Sequence, residues 1–300
     1  MRQPLVTIGI PTYKRTSGLK KALDCILNQS YFNLEVIVSN NNPENDETDN
    51  LLIEYLKKDS RIKYFKQSHN VGPIGNFEFV LNEAKGEYFA WAADDDLCEP
   101  EFVEKIIVEM LSDEKIVLCA CDIKVIDVED REIGMHRLNS IRINSDWSIA
   151  KQLFFEYPTS NIFFCIYGIY KTNVLRDCGL SISKGWKNLC TNGEVPFLAR
   201  ISARGRITAV SEVLKFYRTH DNSVYSNESS GMTSVDSLMM KAIIRVKLYK
   251  IALFEVSGLA EKSVLLKTIS QSWIKSISPR KLIVPLVPKG LKVAIKELYK

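Results

Sequence analysis

Over about the first 110 residues, short β-branched runs alternate with segments of helical apolar spacing, and such alternation implies a parallel sheet flanked by helices. Leu5–Ile10 (LVTIGI) reads as a buried strand closed by Pro11. Ser17 then stands as N-cap to a helix whose Leu19, Ala22, Leu23, Ile26 and Leu27 share one face. Leu34–Ser39 gives a second strand, and Leu51, Leu52, Tyr55 and Leu56 mark a second helix. Ile62–Gln67, Asn76–Ala84, Glu87–Ala92 and Phe102–Met110 continue as strand, helix, strand and helix. Sheets of this kind bind ligands beyond the carboxyl ends of their strands. Pro11–Arg15, Ser39–Asn42 and Asp94–Asp96 all fall at such ends.

Asp94-Asp95-Asp96 closes the apolar run EYFAWAA. Three adjacent carboxylates repel one another unless a cation shares their charge, and hard divalent cations such as Mg²⁺ and Mn²⁺ take carboxylate and phosphate oxygens. The same triplet also suits a solvated loop capping the helix that starts near Pro100. Its place on the ligand-binding face favours the metal reading.

Beyond Ile116–Val128 the alternation breaks down, and Asp130–Asn192 is irregular, with aromatics scattered through it. This half is expected to close over the first and shape a second pocket. Residues 193–203 look helical, Arg206–Val210 and Val213–Tyr217 look like two short strands, and Ser223–Ser234 reads as a linker. Val235 to Val256 follow a 3.6-residue period, as an amphipathic helix that packs on the body.

The net charge of +4 is too small to argue for nucleic acid. Its distribution says more. Lys262–Lys300 carries nine Lys/Arg and one Glu, hence +8, which leaves −4 for the rest. Basic residues beside Trp273 and short apolar runs suit the headgroup region of a membrane or a partner protein. Seven cysteines without framework spacing suggest a reducing compartment. A strand begins almost at Met1, with no visible signal peptide, and no apolar run approaches the ~20 residues of a membrane span. The expected location is cytoplasmic, peripheral on the inner face of the plasma membrane.

VTIGIPTYKR, LEVIVSNNNPENDETDNLL, HNVGPIGNFEFVLNEAKGEYFAWAADDDLCEPEF and NGEVPFLARISARGRITAVSEVLKFYRTHDNSVYS occur in that order. Together they resemble the family 2 glycosyltransferases, from about Leu5 to Ser226. The resemblance implies an α/β GT-A fold, a Rossmann-like, mostly parallel sheet flanked by helices, followed here by a C-terminal helical extension. It divides the chain into a transferase domain, 1–228, with a nucleotide-binding half, 1–115, and an acceptor half, 116–228, and then the basic extension, 229–300.

The resemblance also assigns roles. Pro11, Thr12 and Tyr13, with Arg15 just after them, match the loop that holds the nucleotide base, and Tyr13 can stack on it. Asn40 stands where many relatives have Asp, and an amide both donates and accepts. Asn70, Gly72 and Asn76 match the loop beside ribose and phosphates. In the D-x-D region the usual first Asp falls at Ala93 and the last at Asp95. Asp95 is therefore the expected metal ligand and Asp94 a second contact to ribose or metal, while Asp96 serves the helix start or the acceptor. Glu194 matches the catalytic base, with Gly193 replacing the first of the usual acidic pair. His220 resembles a late histidine that reaches metal or diphosphate, and Arg218 suits phosphate or a carboxylate.

The implied activity is an inverting transfer, dependent on Mn²⁺ or Mg²⁺, from a nucleotide-sugar to a saccharide hydroxyl. The basic tail suggests a lipid-linked acceptor, as in O-antigen or capsule assembly. Two rivals remain. A nucleotidyltransferase making sugar nucleotides would want a Gly-rich loop where this chain has IPTYKR. A membrane-docked saccharide-binding scaffold without catalysis fits the missing acidic partner at Gly193.

Overall fold

The structure, a computed structural model, describes residues 2–44, 46–138, 141, 151, 154–155, 162–180, 194–219 and 234–276. Nine strands among them form one curled sheet: β1 (Val6–Thr12), β2 (Leu34–Asn40), β3 (Ile62–Lys66), β4 (Tyr88–Trp91), β5 (Leu97–Cys98), β6 (Ile116–Ile126), β7 (Glu132–His136), β8 (Ile169–Lys171) and β9 (Arg206–Arg218). The helices are α1 (Thr16–Leu27), α2 (Asp46–Lys58), α3 (Gly72–Glu83), α4 (Phe102–Ser112), α5 (Thr172–Cys178), α6 (Glu194–Ser202), α7 (Ser234–Phe254) and α8 (Leu259–Ser276), with a 3₁₀ turn at Ile162–Tyr167.

The strand order is β3-β2-β1-β4-β8-β6-β9-β5, with β7 also on β6. β1 pairs in parallel with β2 and β4, and β2 with β3. The chain thus leaves β1 on one side, winds out to β3, and returns to the other side as β4. That reversal opens a crevice at the carboxyl ends of β1 and β4. The second half joins through antiparallel β4–β8 and β8–β6, and the parallel β6–β9 pair extends it.

Both faces of the sheet are covered, which explains why its strands read as unbroken apolar runs. Successive residues of a strand face opposite sides. Ile8, Ile10, Val36, Val38, Cys119 and Cys121 pack with Leu19, Leu23, Leu52, Phe102 and Ile106 from α1, α2 and α4. Ile37, Phe89, Trp91, Leu118 and Ala120 pack on the other face with Val80, Leu81, Leu175, Phe197 and Ile201. Ile244, Leu248 and Ile251 of α7 and Leu265 and Ile269 of α8 belong to this second core. Arg200 and Arg204 each pair with Glu255 at 2.7 Å. The C-terminal helices are therefore continuous with the body. Among the described residues no helix is long and apolar enough to cross a membrane. Most of the basic tail, 277–300, and the linker 223–233 lie outside the described residues.

Several boundaries differ from expectation. β1 runs through Pro11 to Thr12, since β4 pairs with it only as far as Gly9 and a residue that donates no hydrogen bond is tolerated past that point. The cap of α1 is Arg15 rather than Ser17, and no side chain bonds its free N–H groups. Ser17 falls inside the first turn because the chain turns immediately after β1. The two short strands expected between Arg206 and Tyr217 are one long β9, carried past register shifts opposite Asp122.

Candidate active site

The three aspartates lie beyond β4 and are all buried, at 7, 8 and 6% exposure. They are not a solvated loop. Nor does Asp96 start a helix: β5 intervenes, and α4 begins at Phe102 with Glu101 as its cap.

Each carboxylate has a different setting. Thr12, the last residue of β1, donates from Oγ1 to Asp94 Oδ2 at 2.7 Å. Arg15 Nη1 pairs with Asp95 Oδ2 and lies 3.5 Å from Asp94 Oδ1. The first turn of α1 presses on the same loop, and a Cβ on Gly18 would sit 2.7 Å from the Asp94 carbonyl oxygen. Burial pushes the Asp94 carboxyl up to about 6; the Thr12 hydrogen bond and the Arg15 charge pull it down, and Asp95 pushes it up. Asp96 is pushed further, to about 7, chiefly by burial, with Lys215 opposing. The Arg218 backbone N–H donates to Asp96 Oδ1 at 2.9 Å.

Arg218, read from sequence as a partner for phosphate or for a carboxylate, is buried beneath the aspartates and takes a carboxylate. Its Nε donates to the Asp95 carbonyl oxygen at 2.8 Å and its Nη1 to the Asp127 carbonyl oxygen at 2.7 Å, while Nη2 pairs with Asp130 Oδ1 at 2.5 Å. This guanidinium fastens the aspartate loop to the β6–β7 turn.

On the donor side, the tip of the crevice is built from amides. Asn41 accepts the Val71 N–H at Oδ1 (2.9 Å) and donates from Nδ2 to Asn70 Oδ1 (2.9 Å) and to the Gly72 carbonyl oxygen (3.3 Å). It joins the β2 loop to the β3–α3 loop. Asn70 also accepts the Gly72 N–H at 2.8 Å, and Gly72 has φ +76°, a conformation that side chains disfavour. Asn76 is a buried strut, donating to the Ser39 carbonyl oxygen at 3.0 Å and accepting from Ser39 Oγ at 2.6 Å. Asn40 is fully buried, accepts the Asn42 N–H at 3.0 Å, and has its Nδ2 3.5 Å from the Tyr64 hydroxyl. Pro11 is buried in β1, whereas Tyr13 is 43% exposed at the mouth, with Lys14 Nζ 5.2 Å from its ring centre.

Glu194 is the first residue of α6 and is half-buried. Tyr167 ends the 3₁₀ turn. The Tyr167 hydroxyl is pushed well above its ordinary value, first by burial and then by the neighbouring acidic groups Asp96, Tyr217, Glu194 and Asp95. Lys215 lies beside Tyr167, Nζ 3.5 Å from its carbonyl oxygen and 5.4 Å from its ring centre. His220 lies outside the described residues.

Sequence reasoning missed Gly18, Asn41, Tyr167 and Lys215. Lys215 left a trace, a cation at an inward position of the apolar run VLKFY. Asn41 is the middle of the Asn40–Asn42 run. Gly18 left none, since only the tertiary approach of Asp94 reveals its role.

Among the described residues no three His, Cys, Asp or Glu side chains group to hold a metal alone. Asp94 and Asp95 offer two adjacent hard oxygen donors on a loop where burial already penalises negative charge. Such a pair fits a divalent cation that keeps part of its shell for water and phosphate.

Residues 7–179, more than half of the chain, match the family model described as Glycosyl transferase family 2. An uncharacterized glycosyltransferase of Haemophilus influenzae is 27% identical over 237 residues, 76% of this chain and 70% of that one. A GalNAc(5)-diNAcBac-PP-undecaprenol beta-1,3-glucosyltransferase of Campylobacter jejuni is 39% identical over 94 residues, 31% of this chain and 30% of that one. In fold, the chain is similar to S. aureus TarS 1-349 in complex with UDP-GlcNAc (TM-score 0.63, 17% identity, 96% of this chain and 77% of that one). It is also similar to the mannosyltransferase PcManGT of Pyrobaculum calidifontis in complex with GDP-Man and Mn²⁺ (TM-score 0.56, 14% identity, 98% and 81%). The GT-A sheet, with its aspartates at the end of β4, and the family match over residues 7–179 agree: this chain belongs to the family 2 glycosyltransferases.

Proposed function

We propose that the protein transfers a sugar from a nucleotide-sugar to a hydroxyl of a saccharide acceptor by a single inverting displacement. The observation that carries this reading is the buried pair Asp94 and Asp95 at the carboxyl end of β4, held by Thr12 and Arg15 where a metal-bound diphosphate would sit. A catalytic base must lie near the anomeric carbon, and the aspartates near the diphosphate attached to it. Tyr13 stacks on the base, while Pro11, Thr12 and Asn40 shape its pocket and Asn70, Gly72 and Asn76 the ribose side. Asp95, Asp94 and, outside the described residues, His220 would hold Mn²⁺ or Mg²⁺, whose charge offsets that of the departing diphosphate when bound. Thr12 and Arg15 fix the two carboxylates in advance. Glu194 accepts the proton of the acceptor hydroxyl as its oxygen bonds to the anomeric carbon and the bond to diphosphate breaks on the opposite face.

The acceptor is proposed to be lipid-linked, in cell-surface polysaccharide assembly of the O-antigen or capsule kind. The glucosyltransferase of Campylobacter jejuni, whose name specifies an undecaprenol-linked acceptor, supports this, as does the +8 tail. That tail would place the protein peripherally on the inner face of the plasma membrane.

The test is nucleoside diphosphate release over a panel of donors, with Mn²⁺ or with chelator. Glu194→Gln is expected to lower turnover by about 10²- to 10⁴-fold while leaving nucleoside diphosphate binding intact. Turnover unchanged in Glu194→Gln, or unchanged in chelator, would refute the base or the metal respectively.

A further inference from the structure

Cys25, in the last turn of α1, and Cys98, the last residue of β5, place their sulfurs 2.7 Å apart. Around this pair the polar bonds are organised. The Cys98 N–H donates to Cys25 Sγ at 2.8 Å, and Cys25 Sγ lies 3.0 Å from the Cys98 carbonyl oxygen. Gln29 Nε2 lies 3.3 Å from Cys98 Sγ and 2.8 Å from the Glu99 carbonyl oxygen, while its Oε1 accepts the Val103 N–H at 3.0 Å. Both cysteines are half-buried, whereas Cys119, Cys121, Cys165 and Cys178 are buried.

We infer that Cys25 and Cys98 form a reversible disulfide that clamps the aspartate loop. The sulfurs need to close only to the ~2.05 Å of a disulfide. The loop Asp94–Asp96 is bonded at one end to Arg15, the N-cap of α1, and runs at the other into β5. A bond from Cys25 to Cys98 would join that same helix to that same strand and enclose the loop covalently. The Cys98 thiol, donating to Cys25, also holds the Cys25 thiol below its ordinary value; burial opposes this, and the Cys98 N–H and the Lys215 charge assist. That marks Cys25 as the attacking thiolate.

With a low-molecular-weight disulfide such as glutathione disulfide, Cys25 Sγ attacks one sulfur and expels one glutathione thiolate. Cys98 Sγ, losing its proton, then attacks Cys25 Sγ and expels the second. The protein loses two electrons and two protons, and the oxidant leaves as two glutathione molecules. The inference does not depend on the transfer chemistry.

The experiment is treatment of the full chain with glutathione disulfide, alkylation, digestion and peptide mapping, with hydrogen exchange on the same samples. The expected product is a Cys25 peptide linked to a Cys98 peptide, released by dithiothreitol, with slower exchange over residues 92–98. Cys25→Ser should leave Cys98 unlinked and the exchange unchanged by oxidant. Cys25 and Cys98 both remaining alkylatable, pairing with other cysteines, or carrying separate glutathiones would overturn the inference, as would a linked product without slower exchange.

Discussion

Thr12 Oγ1 donates to Asp94 Oδ2 across 2.7 Å, so the last residue of β1 holds the first residue of the aspartate loop. Burial favours the neutral Asp94 carboxyl, and this hydrogen bond is the strongest influence opposing it. Thr12→Val keeps the shape and removes the donor. Hydrogen bonds to charged groups contribute about 1.5–3 kcal/mol, so urea denaturation at pH 8 is expected to show a loss of that size. At pH 5, below the Asp94 value of about 6, the loss shrinks because the carboxyl is protonated.

Asp96 gives the pH dependence its sign. Its folded value is raised from 3.8 to about 7, so between these values the folded protein binds a proton that the unfolded chain has released. Stability from this group falls as pH rises through that window and is lowest above pH 7. With chelator present, wild type is expected to gain stability relative to Asp96→Asn as pH drops from 8 to 5. A parallel pair of stability–pH curves would contradict it.

How much of this site was legible in the sequence follows from how local each cause is. The β1–β4 half shows in the sequence because strand and helix periodicities are properties of contiguous residues, and the strand ends then place Asp94–Asp96 and Pro11–Arg15 together. Asn41 and Tyr167 act through partners far away in the chain, and no periodicity records them. Ser17 was a sound capping residue by type, but α1 starts two residues earlier, capped by Arg15, because the chain turns straight from β1 into the helix. Arg218 was legible as a functional arginine, and only its partners show that it holds the loop.

Gly18 offers a test in which local and tertiary effects oppose. Replacing a helical glycine with alanine favours the helix by about 1 kcal/mol. Here the new Cβ would meet the Asp94 carbonyl oxygen at 2.7 Å, a backbone atom that cannot rotate away. Overpacking of this kind costs about 1–3 kcal/mol. Gly18→Ala is therefore expected to lower the melting temperature and to weaken Mn²⁺-dependent nucleotide binding, since the displaced atoms carry Asp94 and Asp95. A more stable variant would mean that the loop yields.

Arg218→Lys separates two roles for the arginine. If Arg218 met the diphosphate directly, a lysine would keep the charge, stability would be unchanged, and only donor affinity would suffer. The structure instead commits the guanidinium to the Asp95 carbonyl oxygen, the Asp127 carbonyl oxygen and Asp130. A lysine cannot reproduce that fork. Its single ammonium would leave at least one buried carbonyl without a donor, and unsatisfied buried groups cost about 1–3 kcal/mol each. The variant is expected to lose stability by about that amount in urea denaturation, to exchange faster over residues 94–98, and to bind nucleoside diphosphate more weakly as a consequence. Weaker binding with stability and exchange unaltered would move Arg218 from the support of the loop into the donor site itself.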